Sequence, residues 1–108
     1  MRIITFISAP LFLALSLSPI DAQALNAQKT LKKQGCLKCH AISRKKDGPS
    51  IKEIAKKYRT EEDGTAKLRE HLTLSPDVEV DGKTEKHKKF KSKSDTDMDA
   101  VIEWILSK

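Results

Sequence analysis

Residues 35–42 read Gly-Cys-Leu-Lys-Cys-His-Ala-Ile, and they hold both cysteines of the 108-residue chain with one of its three histidines. Two thiols at i and i+3 on a tight turn fall on one face of it. Each can add to a vinyl group of one flat ring system. The imidazole directly behind them then lies where it can bind a metal at the centre of that ring. Cys36-x-x-Cys39-His40 is the attachment signature of c-type haem, with the two cysteines as covalent anchors and His40 as an axial iron ligand.

Three other chemistries use such residues. A thioredoxin-like redox pair needs a strand leading into its Cys-x-x-Cys and a sheet around it, and neither is indicated here. A structural zinc site needs four ligands. Cys36, Cys39 and His40 give three, and His71 or His87 lacks the paired spacing for the fourth. A simple disulfide leaves His40 without a role and closes too small a loop to staple a domain. Haem is therefore the expected cofactor, one per chain.

Four helical segments are expected to position this group. The first runs from about Asn26, as N-cap, to Gln34, with Leu31 inward and Gly35 as its stop. The second is residues 50–58, where Ser50 and Glu53 have capping-box spacing and Ile51, Ile54, Ala55 and Tyr58 share a face. The third spans about Glu61 to Leu74, capped by Thr60, with Ala66, Leu68 and Leu72 inside. The fourth is capped by Ser94 or Asp95, carries acidic residues in its first turn, and shows a stripe of Met98, Val101, Ile102, Ile105 and Leu106. Between the last two lies a long loop, Ser75 to Lys93, of the kind that is functional or disordered. Only "DVEV", residues 77–80, alternates like a strand.

The N-terminus reads as a secretory leader. A basic start at Arg2, an uncharged apolar run from Ile3 to Leu17, Pro19, and the small-x-small Ala22-Gln23-Ala24 place cleavage after Ala24. The run is shorter than the ~20 residues that span a bilayer. Residues 1–24 are thus expected to be a signal peptide and 25–108 the single domain. The remaining 84 residues, with Tyr58, Phe90 and Trp104 as their only aromatics, can bury little by themselves. A large apolar macrocycle would complete the core. Net charge stays +6, and six lysines with one glutamate lie between Lys83 and Lys93, a solvated face or a docking surface.

With these features the chain resembles the small class I cytochromes c of bacteria. "GCLKCH" after a first helix, "DGPS" at 47–50 and the aromatic-bearing last helix "VIEWILSK" carry the likeness. It implies an all-α, four-helix class I cytochrome c fold around one covalent haem. It also implies that the Pro49 carbonyl accepts a hydrogen bond from His40 Nδ1–H. The family supplies a methionine to the other iron face from the loop before the last helix. Here the mature part has only Met98, on the apolar stripe of the fourth helix, and the preferred reading is a core side chain. His87 sits 47 residues after His40 and 17 before Trp104, where the family's ligand loop would be. His87 is the preferred sixth ligand; Met98, His71 or an open position remain alternatives. Lys86, Lys88 and Lys89 are expected to keep its ring neutral.

The implied function is a periplasmic one-electron carrier, not an enzyme, whose expected partner is a redox protein that is acidic where it docks. Nucleic acid and a lasting membrane anchor are not expected, and the chain is read as a monomer. A haem protein with a displaceable sixth ligand, or the haem subunit of a larger oxidoreductase, is the alternative. A peroxidase-like enzyme would need a distal acid–base pocket for which so short a chain leaves little room.

Overall fold

A computed structural model describes the backbone of residues 19–108 and the side chains from residue 26 onward. Residues 1–18 of the expected leader lie outside this range.

The first helix, α1, spans Pro19–Lys33 and so begins well before Asn26. Proline suits the first helical position, and the Ala-Gln-Ala-Leu run after it has high helix propensity. Asn26 is therefore not a cap; its carbonyl accepts from Thr30 Oγ1 at 2.8 Å inside the helix. Gly35, at φ 81°, ends this segment and starts the one-turn helix α2, Cys36–Cys39. α3 is Ile51–Thr60 and has the expected capping box: Ser50 Oγ accepts from Glu53 N, and Glu53 Oε2 accepts from Ser50 N at 2.8 Å. α4 is Gly64–Leu74. Thr60 is thus the last residue of α3 and not the cap of α4. The chain turns so tightly after α3 that a Cβ on Gly64 would stand 1.7 Å from the Tyr58 carbonyl oxygen, so only glycine can open α4. α5 is Asp95–Leu106, with Ser94 as N-cap accepting from Asp97 N.

The segment between α4 and α5 is more ordered than a free loop. β1, Asp77–Val80, pairs antiparallel with β2, Lys83–Lys86, in the register Asp77↔Lys86 and Val80↔Lys83. Asp81 and Gly82 join them, both at positive φ (50° and 75°), as a two-residue hairpin turn demands. Lys86 Nζ closes the open end on Asp77 at 2.6 Å. The fold stays mostly helical, as expected, with this hairpin added.

α1 and α3 pack on α5, and α4 on α3 and α5. Their inner faces, with Leu31, Ile51, Leu68, Leu72, Val101, Ile102 and Trp104, form one core joined by Phe90 from the loop. Ala66 is exposed and does not join it. Arg59 reaches across to the Leu106 carbonyl at 2.9 Å and closes the end of α5. Arg69 on α4 pairs with Asp99 on α5. No helix of the described residues is long and apolar enough to cross a membrane.

Candidate functional site

The turn that carries the cysteines is built from its own backbone. Lys38 N donates to the Gly35 carbonyl at 3.2 Å and His40 N to the Cys36 carbonyl at 3.1 Å. His40 then leaves in an extended conformation. Cys36 is half-buried and Cys39 exposed, and neither thiol is bridged. Burial raises the Cys36 pKa, partly opposed by the nearby Lys88 charge.

The chain next folds back under the His40 ring. Gly48 N donates to the Cys39 carbonyl at 2.9 Å, and Ile51 N to the Ala41 carbonyl at 2.9 Å. This brings the Pro49 carbonyl to 2.7 Å from His40 Nδ1. Nδ1 is thereby committed as a donor, and Nε2 is the nitrogen left with a free lone pair. Gly48, part of the DGPS string, has a steric role that the string alone does not state. A Cβ there would lie 2.6 Å from His40 Cε1 and 2.9 Å from Nδ1. The missing side chain is what lets the backbone lie against the imidazole, a role for glycine that its position beside Pro49 could have suggested.

His87 comes from the far side of the fold. The loop that bears it is tied to the end of α4: His87 N donates to the Pro76 carbonyl at 2.8 Å, Ser75 Oγ donates to the His87 carbonyl, and Phe90 N donates to the Leu72 carbonyl at 2.9 Å. Its ring is tilted 42° to that of His40, with centroids 6.1 Å apart. His87 Nδ1 is buried and has no hydrogen-bond partner. Burial first, and then proximity to His40, lower the His87 pKa. The charges of Lys86, Lys88 and Lys89 are not what lowers it, and the Lys88 backbone opposes the fall; Lys86 turns to Asp77 and Lys88 donates to the Gln34 carbonyl at 2.6 Å. His71 is also at the site, half-buried, with its ring edge-on to His87 at 4.5 Å. Its pKa is lowered by burial and then by His87. Met98 is only 4% exposed and belongs to the helical core.

The constellation thus has two unbridged thiols on one turn, a proximal imidazole oriented by a backbone carbonyl, and a second imidazole opposite it. These residues suit a covalently held macrocycle with a metal at its centre.

Comparison with known proteins agrees with that chemistry. Residues 24–108 match the cytochrome c family. Cytochrome c-552 of Nitrosomonas europaea is 29% identical over 87 residues, which cover 70% of this chain and 72% of that protein. Cytochrome c2 of Rubrivivax gelatinosus is 37% identical over 75 residues, covering 68% of this chain and 87% of its own. The crystal structure of the class 1 cytochrome MtoD from Sideroxydans lithotrophicus ES-1 superposes with a TM-score of 0.69 at 36% identity, over 76% of this chain and 91% of that one. The chain belongs to the cytochrome c family and is a monohaem electron-carrier cytochrome whose cofactor is covalently attached haem c.

Proposed function

We propose that this protein is an exported, periplasmic one-electron carrier with bis-histidine ligation, in which Cys36 and Cys39 bind the haem and His40 and His87 take the two axial positions. The haem supplies the redox chemistry, its iron alternating between ferric and ferrous. The chain's residues hold and tune it. The Pro49 carbonyl fixes the His40 ring and strengthens it as a donor. Gly48 leaves room for that contact. His87 closes the sixth position, so the protein passes electrons without binding substrate.

The observation that carries the reading is the separation of the two rings. Two imidazoles sharing one metal at the usual ~2.0 Å metal–nitrogen distance would have centroids about 6 Å apart. His40 and His87 stand 6.1 Å apart. Burial also keeps the His87 ring neutral, the form that ligates. The burial of Met98 in the helical core favours the same assignment.

Export is supported by the leader-like segment 1–24, with cleavage after Ala24 leaving residues 25–108 as the carrier. Docking to an acidic redox partner is supported by the exposed Lys83, Lys89, Lys91 and Lys93, and by Lys88, which lies beside Gly35 at the mouth of the cysteine turn.

Optical and electron-spin spectra of the oxidised protein test the ligation. A low-spin haem without the sulfur-to-iron charge-transfer band is expected. His87→Met should introduce that band and raise the reduction potential, because a thioether favours ferrous iron. A wild-type protein that already shows the band would remove His87 from the iron.

A further inference from the structure

His40 has an orienting partner in the Pro49 carbonyl; the His87 ring lies near the Lys88 backbone, which opposes the fall in its pKa, but its Nδ1 makes no hydrogen bond. Its Nδ1 is buried and unpaired, which is costly for any polar atom. A metal-bound imidazole ordinarily donates its second nitrogen to a neighbouring acceptor. The ring packed against His87 is that of His71, edge to face at 4.5 Å and 64°.

We propose that His71 is the positioning partner of His87: a ring nitrogen of His71 accepts a hydrogen bond from His87 Nδ1–H and sets the plane and donor strength of the distal imidazole, as the Pro49 carbonyl does for His40. The inference rests on His87 being the sixth ligand.

The surroundings support it. The His87 backbone is fixed at both ends of its peptide by Pro76 and Ser75, and three residues on Phe90 is tied to Leu72. All of these anchors belong to the last turn of α4 or follow it directly, and His71 is in that same turn. These bonds hold the His87 backbone against the end of α4 that bears His71. What remains adjustable is ring rotation, and the terminal torsion of histidine is broad and soft. Rotation about that torsion is the movement by which the edge-on contact at 4.5 Å would become an N–H···N bond.

The test uses the haem-loaded protein. In 15N-labelled ferrous protein, which is diamagnetic when low-spin, a scalar coupling across the hydrogen bond between His87 Nδ1 and a His71 ring nitrogen is expected. Its absence would overturn the proposal without recourse to any variant. His71→Phe keeps a ring in place but removes the acceptor. It should leave the haem low-spin, raise the reduction potential, shift the ferric g-values, and increase cyanide affinity at the sixth position by about tenfold or more. His71→Gln, which restores an acceptor without the ring, should return most of these values toward the parent. A purely structural role for His71 would move thermal stability but not potential or g-values, and would show no rescue by glutamine. If instead His87→Ala leaves the low-spin spectrum of the parent unchanged, the fault lies with His87 ligation itself. If His87→Ala opens the site while His71→Phe changes nothing, His87 ligation stands and the role of His71 falls.

Discussion

Gly48→Ala places one methyl group where the structure has no room for it. The new Cβ would lie 2.6 Å from His40 Cε1, 2.9 Å from Nδ1 and 3.3 Å from Nε2. Ordinary contact begins near 3.4 Å, so the ring or the 46–49 turn must retreat by about 0.8 Å. The Nδ1–carbonyl bond to Pro49 starts at 2.7 Å, and a displacement of that size carries it to the edge of hydrogen-bonding range. Overpacking of this kind costs about 1–3 kcal/mol, and the lost hydrogen bond about 1 kcal/mol of that scale again. Together these come to about 2–4 kcal/mol, and in a domain of this size each kcal/mol lowers Tm by about 4–8 °C, so a fall on the order of 8–30 °C is expected. Calorimetry of the haem-loaded protein reads it, and the reduction potential should rise as His40 loses its orienting carbonyl. Pro49→Ala is the control: it keeps the backbone carbonyl and adds no atom beside the ring, so its effect should be much smaller. A Gly48→Ala protein melting within about 2 °C of the parent, less than the step for one kcal/mol, would refute the steric argument.

Ser50→Ala removes a buried N-cap whose hydroxyl accepts from Glu53 N, and should cost about 0.5–2 kcal/mol in denaturant unfolding, while Ser50→Asp keeps most of it. Folding depresses the pKa of His71 and His87, so the unfolded chain binds protons first. Stability should therefore be held above about pH 6.5 and fall as pH drops through the lowered folded values, and the proposed ligation by neutral imidazole would act in the same direction. Denaturant titrations at stepped pH check the sign, and greater stability on mild acidification contradicts it. Neutralising Lys89, Lys91 and Lys93 together should flatten the salt dependence of electron exchange with an acidic redox protein while the haem spectrum stays constant, since exposed charges are screened over about 8–10 Å at physiological salt. Stopped-flow rates across a salt series decide it, and parallel slopes for parent and variant would leave these lysines with solubility alone.

The proximal half of the site was legible because it is local in the chain. Everything that holds His40 lies between Gly35 and Lys52, so residue types and spacing along the sequence nearly report the geometry. The capping box at Ser50 and the Ser94 cap were readable for the same reason. Helix boundaries set by contact were not. α4 starts at Gly64 because of the Tyr58 carbonyl, a steric fact with no sequence signal beyond the glycine itself. The hairpin did have a signal, Asp81-Gly82 between "DVEV" and "KTEK", but β2 is exposed along its whole length and shows no alternation to confirm it.

The distal half was only partly legible, and the reason is physical. His87 was identified by its place in the loop, yet what fixes it comes from residues 71 to 76, across a hairpin whose length and turn decide the register. His71 lies between Leu68 and Leu72 in the sequence with nothing local to tie it to His87; that it meets His87 depends on the hairpin folding back by a definite number of residues. The hairpin thus has a structural use. Its two-residue turn and the Asp77–Lys86 pair close a loop that would otherwise lose considerable entropy on ordering, and they return the chain beside Pro76 at the residue before His87. A one-residue change in that turn would shift the strand register and flip the side chains that follow to the opposite face. The position of His87 is therefore specified less by its own neighbours in sequence than by the turn at Asp81–Gly82, at the other end of the hairpin.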